Sequence, residues 1–130
     1  MKLALFGYGR MGHEVERLAV AQGHDIGVRL GVENNPGGSG ITTEAFSLID
    51  VAIDFSVPTV VFDNIDRATD VGVPLVVGTT GWDDRIDEVR QLVDKRGGVL
   101  VHGANLSVGA NLFFLIAEHA AQLFDAIGEH

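Results

Sequence analysis

The chain opens with a short apolar run that breaks directly into closely spaced glycines. Residues 3–12 read LALFGYGRMG, with glycine at positions 7, 9 and 12. Glycine weakens both strands and helices, so this cluster indicates a turn in which the backbone bends tightly or approaches something closely. The residues that follow, Met11–Gln22, carry apolar side chains at helical spacing. The sequence therefore begins with a predicted strand, a tight turn and a helix.

The same alternation of strand and helix continues along the sequence. Strands are predicted over Lys2–Phe6, Asp25–Val32, Val51–Phe55, Pro74–Val77 and Val99–His102. Helices are predicted over Met11–Gln22, Pro58–Thr69, Asp83–Lys95 and Val108–Phe124; Asn34–Gly40 is expected to be a loop, and Thr43–Ile49 fits no single element. Short apolar strands that are each followed by a helix indicate a parallel sheet. The predicted fold is a doubly wound (Rossmann-type) α/β domain over 1–130, with a mostly parallel sheet and helices on both faces.

Composition excludes several classes of function. The 130 residues suffice for one domain, and the absence of cysteine excludes disulfides, iron–sulfur ligation and thiol catalysis. A formal net charge of −9 without a basic cluster argues against nucleic-acid binding. The longest apolar stretch, Leu112–Ala117, is too short to span a bilayer, and Met1 leads directly into the first apolar run without a signal-peptide pattern. We expect a cytoplasmic protein with no membrane partner and no metal site.

The glycine turn lies where a doubly wound sheet binds the pyrophosphate of a dinucleotide. Gly7 would permit the tight turn, Gly9 would let the backbone approach a phosphate, and Gly12 would let the helix pack closely on the strand. The helix N-terminus would offer unpaired N–H groups to the anion. The alternative is a tight turn without a ligand.

An acidic residue is expected about 20 positions further on, where it would bind the hydroxyls of the adenosine ribose. Glu33 occupies that place, although it can also be a solvated loop acid. Asn34 and Asn35 follow it, instead of the basic residue that a 2′-phosphate would favour. The sequence therefore favours NADH over NADPH.

Three further loops follow predicted strands. They read DFSVP at 54–58, GTTGW at 78–82 and GANLS at 103–107. Because the carboxyl ends of parallel strands meet at one edge of a sheet, these loops are expected beside the glycine turn. Their small residues, hydroxyls, amide and aromatic rings suit a nucleotide, so their convergence favours a binding site over simple turns.

Four blocks of the sequence resemble the N-terminal domain of 4-hydroxy-tetrahydrodipicolinate reductase (dihydrodipicolinate reductase), a family of bacterial lysine and diaminopimelate biosynthesis. The blocks GYGRMG, DFSVP, VVGTTGW and ANLSVGANLFF occur in order between Met1 and about Phe124. The resemblance implies an NADH- or NADPH-dependent oxidoreductase that transfers a hydride to a cyclic dicarboxylate. It implies that the cofactor is bound by Gly7, Tyr8, Gly9, Arg10, Met11, Gly12, Glu33, Phe55, Ser56, Gly78, Thr79, Thr80, Gly103, Ala104, Asn105 and Leu106.

The sequence also departs from this family. Leu106 replaces a phenylalanine, Val57 replaces a common basic residue, and the glycine loop is one residue shorter before Arg10. The family continues into a second domain, expected to begin near Glu129, whose HH-x-x-K and D-A-P-S-G-T signatures do not occur here. We therefore expect a chain that binds NAD(H), carries no catalytic residue of its own and reduces substrate negligibly.

Two other functions remain compatible with the sequence: a stand-alone NAD(H)-sensing module without catalysis, and an interaction domain that has lost the cofactor. The last predicted helix presents apolar residues consecutively over Leu112–Ile116, on more than one helical face. We expect part of this surface to be exposed and to favour self-association through the helix. The alternative is complete burial of the helix against the sheet.

Overall fold

The computed structural model describes residues 1–128, so the predicted start of a second domain near Glu129 lies outside the described residues. The strands are β1 (Lys2–Phe6), β2 (Asp25–Leu30), β3 (Val51–Asp54), β4 (Leu75–Val77) and β5 (Leu100–His102). The helices are α1 (Arg10–Ala21), α2 (Thr43–Phe46), α3 (Pro58–Asp70), α4 (Ile86–Arg96) and α5 (Val108–Gly128), with short 3-10 turns at Pro36–Gly38 and Asp83–Arg85.

The strands form a five-stranded sheet in the order β2-β1-β3-β4-β5, and every pairing is parallel. This confirms the predicted doubly wound α/β fold. The chain moves from β1 to β2 in one direction and from β3 to β5 in the other, so the winding reverses between β1 and β3. A crevice opens at such a reversal, outside the carboxyl ends of the two strands.

The larger core lies on one face of the sheet. Phe6 and Val77 belong to this face, where they pack with buried residues of the three helices α2, α3 and α4. The helical part of this core consists of Phe46, Val61, Ile65, Ala68, Val89 and Val93. Packing against these helices fixes β3 and β4. The loops that follow the two strands therefore start from fixed positions.

The opposite face is covered less completely. The strand register aligns Leu5, Ile53, Val76 and Val101 on this face. Leu5 is 1% exposed near α1, whereas Val101 at the far edge is 53% exposed. Part of this apolar face is therefore open to solvent.

Helix α5 is apolar and exposed. Its five consecutive residues Leu112–Ile116 are each between 54% and 68% exposed. The predicted exposure is confirmed and the alternative of complete burial is wrong, while self-association stays a prediction. None of the helices within residues 1–128 is long and apolar enough to cross a membrane.

The predicted helix Asp83–Lys95 begins as a 3-10 turn and continues as α4 from Ile86, and α5 ends at Gly128 instead of Phe124. Two further differences from the sequence prediction have local reasons. β2 ends at Leu30 rather than Val32, because the Asn34 side chain closes the turn: its Oδ1 accepts from the Gly31 N–H at 2.7 Å and its Nδ2 donates to the Arg29 carbonyl at 3.0 Å. The segment Thr43–Ile49, for which the sequence predicts no single element, contains the short helix α2. The hydroxyl oxygen of Thr42 caps that helix by accepting from the Ala45 N–H at 3.2 Å.

Candidate functional site

The glycine turn between β1 and α1 is tight at one end and open in the middle. Gly7 has φ +79°, and a side chain there would collide with the backbone of Phe55 and Ser56. A Cβ on Gly12 would stand 2.6 Å from the Gly7 carbonyl oxygen, so this glycine allows close packing of α1. A Cβ on Gly9, by contrast, would have no atom within 4 Å. Gly9 therefore faces open space, as a backbone that approaches a ligand must.

The N-terminus of α1 lies at this opening and has no side-chain cap. Gly9 is the N-cap, no side chain accepts a hydrogen bond there, and the first turn contains no acidic residue. The first N–H groups of a helix need acceptors and carry a partial positive charge. The turn therefore offers donors to an anion bound over Gly9.

A cavity of about 570 Å³ lies on the β2 side of the glycine turn. Gly7, Tyr8 and Gly9 form one wall, and the other walls come from the loop after β2 and the start of α3. The apolar lining comprises Leu30, Val32, Pro36, Phe55, Val57 and Val60. Apolar walls with a few polar groups suit a planar organic ring.

A smaller cavity of about 330 Å³ lies on the β4 side. Met11, Pro58 and the predicted loop residues Gly78, Thr79 and Thr80 line it.

The two cavities share Phe55 and Ser56. Gly78 leaves room for the Phe55 ring, because a Cβ on this glycine would collide with ring carbons. Phe55 thus stands between two compartments that meet at the glycine turn, an arrangement suited to a ligand with two ring-bearing halves.

A buried polar cluster holds the loops that form these compartments. Oδ1 of Asp54 accepts from the Ser56 N–H at 2.7 Å and from the Thr79 hydroxyl at 3.2 Å, and its Oδ2 accepts from Nδ2 of Asn64 at 2.9 Å. Asp54 and Asn64 are fully buried. Buried polar groups need such partners, so Asp54 ties the loops after β3 and β4 to α3.

The same cluster reaches the loop after β2. Asn35 donates from Nδ2 to Oδ1 of Asn64 at 2.9 Å, and its own Oδ1 accepts from the Gly40 N–H at 3.0 Å. Sequence reasoning missed this cluster. A signal was present, because Asn64 interrupts the otherwise apolar buried stripe of α3 that contains Val61 and Ile65.

A second polar cluster lies at the rim of the larger cavity, on the side of α1. Glu16 accepts hydrogen bonds from the Tyr8 hydroxyl and from Nε and Nη2 of Arg29, the latter two at 2.9 and 2.6 Å. Hydrogen bonding by Arg29, and then by Tyr8, lowers the pKa of Glu16 to about 2. The same carboxylate raises the pKa of Tyr8. Glu16 is therefore ionised and Tyr8 protonated at neutral pH.

Some predicted residues lie outside both cavities. Glu33 is exposed and comes three residues after the end of β2, where Gly31 and Val32 line the cavity instead. Arg10 is also exposed and lines neither cavity, although it begins α1 beside the turn. Binding roles for Glu33 and Arg10 stay predictions.

The predicted segment Gly103–Leu106 follows β5 at the same edge of the sheet but also lines neither cavity. Leu106 lies over Gly103, with Cδ2 3.0 Å from the position that a Cβ would take. Ala104 is exposed, and Oδ1 of Asn105 accepts from the Ser107 N–H at 2.9 Å just before α5 begins. A binding role for this segment stays a prediction.

Comparison with known proteins gives a consistent result. The family described as "Dihydrodipicolinate reductase, N-terminus" matches residues 1–106. A 4-hydroxy-tetrahydrodipicolinate reductase of Christiangramia forsetii is 35% identical over 132 residues, covering 100% of this chain and 52% of the relative. Proteins of the same name from Mycobacterium sp. (strain KMS) and Cutibacterium acnes are 33% and 36% identical, covering 98% and 97% of this chain and 51% and 50% of theirs.

The chain thus spans about half the length of the curated relatives it matches. The family match covers the glycine turn and every residue that lines the two cavities. With its parallel sheet and its glycine turn at the point of reversal, this chain belongs to the family of dihydrodipicolinate reductase N-terminal domains.

Proposed function

We propose that this chain binds a nicotinamide dinucleotide and serves as the cofactor-binding half of a reductase that acts on a cyclic dicarboxylate. The observation that carries the proposal is the open position of Gly9, between an uncapped helix N-terminus and two adjoining cavities. A dinucleotide has the matching parts, because its pyrophosphate joins two nucleoside halves.

The residues present fit such a cofactor. The backbone N–H groups that begin α1 would bind the pyrophosphate over Gly9. The larger cavity, on the side of β2, would hold the adenosine half, because doubly wound sheets bind adenosine beside the second strand. Thr79 and Thr80 in the smaller cavity would then border the nicotinamide. The charge balance also fits, since no acidic residue lies in the first turn of α1.

The bound nicotinamide would supply the hydride, and the residues of this chain would bind and orient it. A reduction also requires a positioned acceptor and a proton donor, and rate falls steeply when they are not positioned. The relatives named as reductases are about twice as long as this chain. We expect the isolated chain to bind the cofactor and to reduce substrate negligibly.

Isothermal titration calorimetry of the 130-residue chain with NADH, and then with NADPH, tests the proposal. We expect micromolar binding of NADH that 2,6-pyridinedicarboxylate, a planar cyclic dicarboxylate, does not change. Absence of binding for both nucleotides would contradict the proposal and favour an interaction domain that has lost the cofactor.

Gly9→Val provides the matched variant. Since no atom lies within 4 Å of the added Cβ position, the variant should keep the melting temperature of the wild type and lose NADH binding. Gly109→Ala in α5 is the control, because its Cβ would meet only the Ser107 hydroxyl oxygen at 3.9 Å, outside both cavities. Unchanged NADH affinity in a folded Gly9→Val variant would place the ligand elsewhere.

A further inference from the structure

The cation Arg29 lies at the end of β2 and lines neither cavity. Arg29 is the next-to-last residue of β2, and its guanidinium carbon lies 5.9 Å from the centre of the Tyr8 ring, which lines the larger cavity. In doubly wound sheets the adenosine ribose binds beside the end of this strand, and an arginine nearby accommodates the 2′-phosphate of NADPH. Arg29 therefore stands where a free cation would favour NADPH over NADH.

Glu16 engages this cation from the neighbouring helix. Two parallel hydrogen bonds join the guanidinium to the two carboxylate oxygens, from Nη2 to Oε1 at 2.6 Å and from Nε to Oε2 at 2.9 Å. Such a two-point pair is the strongest geometry that arginine and a carboxylate form. The Tyr8 hydroxyl donates to the same carboxylate, and Nη1 of Arg29 donates to the Ile26 carbonyl at 3.3 Å.

The surrounding groups reinforce this arrangement. The His13 ring stacks on Tyr8 with centroids 4.1 Å apart, and its Nδ1–H donates to the Gly9 carbonyl at 2.6 Å. Tyr8 is thereby fixed between His13 and the Glu16–Arg29 pair. A 2′-phosphate that approached Arg29 would have to displace Glu16 and would then face its negative charge.

We propose that Glu16 is a specificity-determining residue, which favours NADH by holding Arg29 away from a 2′-phosphate. The inference rests on the proposed binding of a nicotinamide dinucleotide. Discrimination between NADH and NADPH then depends on a side chain of α1 that contacts β2, and not only on the residues that follow β2.

The test compares dissociation constants for NADH and NADPH in the full 130-residue chain. The wild type should bind NADH more tightly. Glu16→Gln should raise the affinity for NADPH about tenfold relative to NADH, as expected when a phosphate gains a hydrogen-bonded cation and loses a facing carboxylate. The gain should shrink at high salt, because exposed charges are screened.

Two control variants separate this effect from a change in net charge. Glu14→Gln removes one negative charge from the same helix, where Glu14 pairs with Arg17 at an exposed site, and should leave the NADPH-to-NADH ratio unchanged. The double variant Glu16→Gln/Arg29→Gln should return the ratio to that of the wild type.

A wild type that prefers NADPH, an unchanged ratio in Glu16→Gln, an equal rise in Glu14→Gln, or a rise that persists in the double variant would each overturn the inference. If the wild type binds neither nucleotide, the proposed function and this inference fail together. If it binds NADH and the ratio does not move, only the inference fails.

Discussion

Nδ2 of Asn64 donates to Oδ2 of Asp54 at 2.9 Å, in a part of the interior where both side chains are 1% exposed or less. The carbonyl oxygen of the same Asn64 side chain accepts from Asn35, so one amide joins the loop after β2 to the end of β3. Through Asp54 the connection extends to Thr79 in the loop after β4. The three loops that surround the candidate site are therefore held by a single set of buried hydrogen bonds.

Loss of the Asn64 amide should destabilise the protein. Asn64→Ala leaves Oδ2 of Asp54 and Nδ2 of Asn35 without their partner in the interior, and an unsatisfied buried polar group costs about 1–3 kcal/mol. We expect the free energy of unfolding, measured by urea denaturation, to fall by about 2 kcal/mol or more.

Gln91→Ala is the control for this measurement. Gln91 is an exposed amide on α4, and such surface substitutions change stability by less than about 0.5 kcal/mol. A loss in Asn64→Ala as small as that in Gln91→Ala would show that the buried connection contributes little.

The hydroxyl of Thr79 should matter for one half of the proposed ligand only. Thr79→Val keeps the shape of the side chain but removes the hydrogen bond to Asp54, which loosens the wall of the smaller cavity. We expect the NADH affinity to fall about fivefold, because binding must then order a loop that has lost a hydrogen bond worth about 1 kcal/mol of stability. The affinity for AMP should stay unchanged. Equal losses for NADH and AMP would mean that the substitution disturbs the whole site.

The fold was predictable because its signals are local. Most strands of the sheet are short and largely apolar, β2 alternates apolar residues with exposed ones, and the positive φ of Gly7 falls where the glycine spacing predicts a tight turn. The end of β2 was predicted two residues late, because the side chain of Asn34 closes a turn that apolar Val32 does not reveal.

The polar clusters of the site could not be predicted in the same way. Asn35 and Asn64 are 29 positions apart, and Glu16 and Arg29 are 13 apart. No sequence period relates such pairs, so only the packing of α1 on β2 and of α3 beside the loop after β2 brings them together. Glu33 is the opposite case. Its distance in sequence from the glycine turn is the expected one, but Gly31 and Val32 line the cavity instead of Glu33.

The stability that Glu16 contributes should depend on pH in one direction. Its pKa in the folded protein is about 2, below the ordinary value of 4.5, so its carboxylate stabilises the fold above pH 4.5 and loses that effect as the pH falls toward 2. The melting temperature of the wild type should exceed that of Glu16→Gln at pH 7, and the difference should shrink steadily between pH 4.5 and pH 2. At pH 7 Glu14→Gln should lower the melting temperature less than Glu16→Gln, because the Glu14–Arg17 pair is exposed and such pairs contribute little. A wild-type advantage that grows on acidification would contradict the assigned ion pair.

Self-association through α5 is the remaining expectation from the sequence. Phe113 and Ile116 are 65% and 68% exposed on the helix, and Val101 is 53% exposed on the open face of the sheet. An apolar helix and an apolar sheet face in one chain can pair between two copies, because burial removes both surfaces from water. Sedimentation velocity should show a dimer or larger species whose fraction rises with concentration, and Phe113→Ser/Ile116→Ser should shift the protein to the monomer without lowering its melting temperature. Val20→Ser, which changes an exposed apolar residue of α1 (55% exposed), should leave the distribution unchanged. A wild type that stays monomeric up to about millimolar concentration, where even contacts worth about 4 kcal/mol are populated, would show that this exposed surface does not drive association.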